Sequence, residues 1–187
     1  MNRGSVAVNT EEVQKWKAFN HPDGTVRDLS FLDAHEVTYI QSAPGKSDKV
    51  YKFFVTYSFH CFCKGYDEQT EEMKASLMYF APKDKRPFCE RRYELARSYL
   101  RQIVDGLGSS KVTHAGYGSY AVVEVDLAEG ETEFYFVAFR AFKEKKKLRL
   151  HITSAYPVTE RTGGQKVSFF KIAYNLLAGK PLPHPQK

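Results

Sequence analysis

The segment from Glu133 to Tyr156 constrains the fold more than any other part of the chain. It contains two runs of apolar and β-branched residues, separated by the charged tetrapeptide at 143–146. Two such runs joined by a short polar turn predict a long β-hairpin. Because the first run has apolar residues on both of its faces, we expect this hairpin to lie at the centre of a sheet.

The remaining strands and helices follow from hydrophobic periodicity. Alternating apolar residues predict strands over 50–63 and 75–81, and a strand at 120–127 leads into the hairpin as an antiparallel meander. Helical periodicity extends from 87 to about 105 and again from 167 to 178. We therefore expect an α+β fold in which a mainly antiparallel sheet, with the long hairpin and meander, is packed by two or three helices.

The 187 residues fit a single domain. Residues 1–45 read as an N-terminal arm and hairpin, because Pro22 and the pair Asp23-Gly24 are typical of a tight turn. Residues 180–187 are rich in proline and read as a flexible tail. An apolar content of 42% and an aromatic content of 14% exclude a disordered chain.

Charge and cysteine usage restrict the compartment and the partners. The net charge of +6 permits binding to phosphate-rich molecules. No stretch approaches the roughly 20 apolar residues of a membrane helix, and the first residues lack a signal-peptide pattern. Three cysteines, an odd number, do not suggest a disulfide framework. We expect a cytoplasmic protein that has no membrane contact and no cofactor.

A zinc site is a weaker alternative. Its ligands would be His60, Cys61, Cys63 and Cys89. On a strand, however, the two cysteines at 61 and 63 share a face while His60 points the other way. Buried cysteine is also commonly just a small hydrophobic residue. We therefore predict no metal.

Arg92 is the most unusual residue of the predicted helix, because it shares a face with Leu95, Tyr99 and Ile103. Burial of an unpaired guanidinium costs several kcal/mol. The side chain could grip a phosphate or carboxylate. It could equally form an internal ion pair, or pack its stem while its head reaches water.

Two histidines complete a possible catalytic group. His60 is predicted on the polar face of the 50–63 strand, and His151 follows Arg149 on one face of the second hairpin arm. One histidine would deprotonate a 2′-hydroxyl and the other would protonate the leaving oxygen, while Arg92 and Arg149 stabilise charge on phosphorus. That set would suffice for metal-independent cleavage of RNA. Each histidine could instead be an ordinary surface residue.

The turn of the hairpin is a concentrated positive tip, formed by Lys143, Lys145, Lys146 and Lys147. These lysines are candidates for nucleic-acid binding through phosphate contacts. The alternative is a solubilising turn that protects the end of a sheet. Ser154 and Tyr156 are predicted in line with Leu150 and Ile152, where their hydroxyls would contact a ligand or hydrogen-bond to a nearby loop.

Two resemblances add to this interpretation. The segments Phe59–Phe62, Phe88–Tyr93 and Ser154–Tyr156 resemble a pattern in uncharacterised small bacterial proteins that often occur near mobile elements. That likeness implies no activity. At the fold level, a helix followed by a basic antiparallel meander resembles the barnase, RelE and colicin-type RNase toxins, which implies an RNA substrate and an inhibitory protein partner.

The leading hypothesis is thus a small RNA-acting protein, with a metal-independent, toxin-type endoribonuclease as its specific form. The alternative is a non-catalytic module that binds protein or nucleic acid through the aromatic sheet and the lysine tip.

Overall fold

The computed structural model describes residues 13–110, 112–116, 119–126, 134–160 and 164–184. The strands are β1 Phe19–Asn20, β2 Val26–Arg27, β3 His35–Ala43, β4 Lys46–Tyr57, β5 Met78–Phe80, β6 Lys85–Pro87, β7 Val112–Gly116, β8 Ser119–Asp126, β9 Phe134–Glu144, β10 Lys147–Val158 and β11 Lys166–Val167. The α-helices are α1 Glu71–Ser76, α2 Glu90–Leu95, α3 Arg101–Asp105 and α4 Phe169–Leu177. A π-helical segment, Ala96–Leu100, joins α2 to α3.

Seven of these strands form one sheet in the order β11-β7-β8-β9-β10-β4-β3. The predicted hairpin is confirmed: β9 and β10 pair along their whole length, from Glu144 opposite Lys147 at the turn to Phe134 opposite Val158 at the far end. Strand β8 pairs with β9 and is the third strand of the meander. The sheet is mostly antiparallel, in agreement with an α+β fold. Its exception is the pair β10 and β4, which run parallel.

Helices α3 and α4 pack on one face of this sheet, which we call the core face. Phe169 of α4 lies against Tyr39 and Phe53, with ring centroids 4.6 and 5.5 Å apart. The hydroxyl of Tyr39 donates a 2.6 Å hydrogen bond to the carbonyl oxygen of Val104 in α3. Both helical layers predicted from periodicity therefore cover the same side of the strands. We call the opposite side the outer face.

The N-terminal segment forms the predicted hairpin of β1 and β2. Gly24 has a φ of 85°, and the amide of His21 donates to the carbonyl oxygen of Thr25 across the turn. The arm packs onto the main domain through Trp16, whose ring contacts Phe62 at a centroid distance of 5.2 Å. This segment thus joins the hydrophobic core.

Three local predictions were wrong. The strand predicted over 50–63 ends at Tyr57, because Ser58 caps a 3₁₀ turn at Phe59–Cys61 and accepts a hydrogen bond from the amide of His60. The segment predicted as the strand 75–81 begins inside α1 and becomes extended only in β5. The helix predicted from residue 87 begins at Glu90, since Pro87 ends β6.

Candidate functional site: a basic groove beside the outer face

The guanidinium of Arg92 is held by backbone carbonyls. Its Nη1 atom donates to the carbonyl oxygen of His60 at 2.7 Å and to that of Cys63 at 3.3 Å. Its Cζ atom lies 5.0 Å from the centre of the Tyr156 ring. No ion pair to Arg92 occurs among the described carboxylates. Carbonyl dipoles and an aromatic face therefore compensate the charge that the sequence placed in an apolar environment.

His60 lies in the 3₁₀ turn and not on a polar strand face, which corrects its predicted position. Its imidazole lies against Phe59, with ring centroids 4.3 Å apart. Burial lowers the pKa of His60, and the positive charges of Arg86 and Arg92 lower it further. The neutral imidazole is consequently favoured at physiological pH.

Arg149 and His151 do share the outer face, as predicted. The Nδ1 atom of His151 lies 2.9 Å from the hydroxyl oxygen of Thr56 on the parallel neighbour β4. The guanidinium of Arg149 lies 4.5 Å from the ring centre of Phe54, and its Nε atom is 3.9 Å from Glu144. Only 8% of His151 and 11% of the Arg149 side chain are exposed.

The predicted orientation of Ser154 and Tyr156 was wrong. A β-bulge between Ile152 and Ser154 inserts one residue into β10 relative to β9. The insertion reverses the alternation, so that Ala155 enters the core and Tyr156 packs against Phe136 on the outer face. Ser154 and Tyr156 therefore lie on the side of Arg149 and His151, not in line with Leu150 and Ile152.

These contacts give the four predicted catalytic residues different immediate partners, although Arg92 also lies over the ring of Tyr156, which shares the outer face with Arg149 and His151. Arg149 and His151 interact with Phe54 and Thr56 on the outer face. Arg92 interacts with the backbone of the turn that contains His60. The two imidazoles thus have different partners, with Thr56 beside His151 and Phe59 beside His60.

A groove of about 460 Å³ lies beside the hairpin tip, and we call it the basic groove. Its basic lining consists of Lys52, Lys146 and Lys147, and its apolar lining includes Val50, Phe54 and Leu177, with Glu36 as the acidic residue. Two of the four lysines predicted to bind nucleic acid therefore line a cavity. A third, Lys143, donates through Nζ to the carbonyl oxygen of Leu177 and so joins the hairpin to the end of α4.

Sequence reasoning missed a cluster of two lysines around one exposed tyrosine of α4. The ammonium groups of Lys49 and Lys180 lie 5.2 and 5.1 Å from the ring centre of Tyr174, a residue that is 41% exposed. These residues come from β4, from α4 and from the segment after α4, so no local pattern could bring them together. Val50 is 52% exposed beside them.

The strand that borders the groove has a free edge. Within the described residues, positions 46–52 of β4 pair with β3 alone, because the pairing with β10 begins at Phe53. Their backbone amides and carbonyls on the side of the groove are therefore available to a further strand.

The cysteines form no disulfide, and burial governs their chemistry. Cys61, Cys63 and Cys89 are all free and buried. Burial raises the pKa of the Cys61 thiol to about 12, so the thiolate is scarce at neutral pH. In the described ranges, no group of three or more His, Cys, Asp or Glu side chains is placed to hold a metal ion. The same ranges contain no helix long and apolar enough to cross a membrane.

Comparison with known proteins identifies the relatives of this chain. The YjaZ family model matches residues 16–177. Protein YjaZ of Escherichia coli (strain K12) is 62% identical over 177 residues, which cover 95% of this chain and 99% of that protein. No solved structure matches. The chain, with its seven-stranded sheet and basic groove, belongs to the YjaZ family.

Proposed function

We propose that this protein binds single-stranded RNA through the basic groove and the lysines around it, without cleaving the strand. The observation that carries the proposal is the concentration of cationic side chains about one cavity. Lys52, Lys146 and Lys147 line it, and Lys49 and Lys180 lie over the ring of Tyr174, three residues before the lining residue Leu177 on α4. A cytoplasmic location, expected from the sequence, is part of the proposal.

Electrostatics supports a polyanionic ligand. Like-charged ammonium groups around one groove repel each other, and among the described lining residues only Glu36 offsets them. A phosphate backbone would relieve this repulsion and release condensed counterions. The affinity would then fall steeply as salt increases.

The aromatic component supports a single strand rather than a duplex. Tyr174 is exposed and has two lysines over its ring. A base that displaces one of these ammonium groups could stack on the ring while the lysines neutralise the adjacent phosphates. Exposed Val50 and Leu177 add apolar surface on the same side. Bases inside a duplex are stacked on one another and offer no free face to these side chains.

The contacts favour binding over the ribonuclease hypothesis. General acid–base catalysis needs both proton-transferring groups within hydrogen-bond reach of one substrate. Here these groups are engaged within the fold: His151 lies at hydrogen-bond distance from Thr56, and the Nη1 atom of Arg92 donates to two carbonyl oxygens. The ring of His60 lies against that of Phe59. Cleavage by these residues, and the inhibitory partner that a toxin would need, stay predictions that the same experiment can test.

The test is a binding titration of the full chain against a fluorescently labelled single-stranded RNA of about 12 nucleotides at several salt concentrations. We expect the wild type to bind with a strongly negative slope of log affinity against log salt. The double variant Lys146→Gln, Lys147→Gln should bind more weakly and reduce that slope by about 1.4, or 0.7 for each lost phosphate contact.

The matched control is Lys15→Gln, Lys17→Gln, which removes two exposed positive charges from the N-terminal arm. The proposal is overturned if the wild type does not bind, or if the control loses as much affinity as the groove variant. RNA fragments that appear with wild type and disappear with His151→Ala would instead restore the ribonuclease hypothesis.

A second candidate, favoured by the free edge of β4, is an acidic peptide that adds a strand along positions 46–52. Exposed lysines and Val50 would then contact alternate side chains of the peptide. A polyglutamate-containing peptide that binds, gains strand signal in the infrared amide band and excludes RNA would select this candidate.

A further inference from the structure

A second cavity, of about 330 Å³, lies near the opposite end of α4 from the basic groove. Its polar lining consists of His114, Gln165, Lys166, Ser168, Lys171 and His184. Among the described residues that line it, none is acidic. The two cavities are separated by about the length of α4, whose nine residues span roughly 13 Å.

The fold brings its two histidines together from distant parts of the chain. His114 lies on β7, with its ring 5.1 Å from that of Tyr120. The hydroxyl of Tyr120, on the neighbouring strand β8, donates a 3.1 Å hydrogen bond to the carbonyl oxygen of Pro183, the residue before His184, and both histidines line the cavity. The side chain of Asn175 donates to the carbonyl oxygen of Pro181 at 2.6 Å and holds the segment after α4 in position.

The charges in this cavity are uncompensated by its own lining. Lys166 and Lys171 contribute two ammonium groups. The neighbouring His184 lowers the pKa of His114, an effect second to burial, so the two imidazoles are close enough to repel each other when protonated. Such a set of donors is stabilised when an anion binds among them.

We propose that this cavity binds a phosphate group, either as free phosphate or as the phosphate of a small phosphorylated molecule. Lys166 and Lys171 supply positive charge, the imidazoles of His114 and His184 donate hydrogen bonds, and the hydroxyl of Ser168 offers a further donor. The volume lies near the lower end of the range for small-molecule pockets, about 300–1,000 Å³. This site is independent of the RNA proposal.

The test is calorimetric titration of the full chain with inorganic phosphate and, separately, with ribose 5-phosphate, both against chloride at constant ionic strength. We expect saturable binding with a Kd of about 1 mM or tighter. Lys171→Gln and His184→Asn should each weaken it about tenfold, the loss of one charge-assisted hydrogen bond. Both residues are exposed, so these variants should fold.

The two probes distinguish the two sources of phosphate. Equal affinities would assign the site to free phosphate, whereas tighter binding of ribose 5-phosphate would assign it to a phosphorylated small molecule. The control is Lys15→Gln, which removes one exposed charge from the N-terminal arm, outside the lining of the cavity. The proposal is overturned if neither probe saturates, or if the control weakens binding as much as Lys171→Gln does.

Discussion

The Nη1 atom of Arg92 donates a 2.7 Å hydrogen bond to the carbonyl oxygen of His60. This bond joins the first turn of α2 to the 3₁₀ turn that follows β4, and a second bond to Cys63 reinforces it. The guanidinium also covers the ring of Tyr156 on β10. One side chain thus connects a helix, a turn and β10, the strand beside β4, at the point where β4 ends.

Replacement of Arg92 by alanine should lower the free energy of unfolding by about 1–3 kcal/mol, because two carbonyl oxygens lose their donor. Arg92→Lys should recover part of this loss, since an ammonium group can reach one carbonyl but does not cover the Tyr156 ring equally well. Urea denaturation measures the free energy of unfolding of both variants. A change below about 0.5 kcal/mol for Arg92→Ala would contradict the structural role.

The buried hydroxyl of Tyr135 has no hydrogen-bond partner among the described residues, whereas that of Tyr39 donates to Val104. We expect Tyr135→Phe to leave the unfolding free energy unchanged or to raise it, because the substitution removes an unsatisfied buried group. Tyr39→Phe is the matched control and should cost about 1 kcal/mol. Equal losses in the two variants would show that Tyr135 is satisfied in solution.

Stability should fall as the pH drops below about 6.5, the ordinary pKa of histidine. Burial lowers the pKa of His35 and His60 in the folded state, so the unfolded chain binds more protons than the folded chain as the pH falls. The stability that each neutral histidine contributes is complete above about pH 6.5 and is lost below it. Urea midpoints between pH 7.5 and 5 measure the effect. His35→Phe should make the decline shallower, and an unchanged slope would exclude His35 as a source.

The turn between β9 and β10 places Lys145 and Lys146 at φ angles of 45° and 69°. Asparagine and glycine adopt such angles more readily in a two-residue hairpin turn. Lys145→Asn with Lys146→Gly should therefore raise the melting temperature, by an amount that corresponds to about 0.5–1 kcal/mol, while it weakens RNA binding. A variant that is both more stable and equally tight in RNA binding would remove Lys146 from the interface.

Local sequence patterns predicted the structure correctly where residues close together in the chain determine it. The β9–β10 hairpin, the tight turn at Asp23-Gly24 and the helix α4 follow from alternation, turn residues and helical periodicity. The shared face of Arg149 and His151 is also local, because residues two apart on a strand point to the same side.

Other features depended on contacts between distant segments. The bulge at Ile152 and Ser154 reversed the orientation of Tyr156, and only the pairing of β10 with β9 reveals it. The charge of Arg92 is compensated by backbone carbonyl groups. Because every residue has such a group, no pattern of side chains in the sequence could predict this compensation.

The sequence by itself determined the class of fold and the strongly basic hairpin tip, since both arise from residues close together in the chain. Only the tertiary structure decided that β4 runs parallel to β10, and that Lys49 and Lys180 meet at the ring of Tyr174. The physical reason is that strand pairing and helix docking are selected by the burial of the whole core. Surface side chains then take whatever neighbours that packing provides.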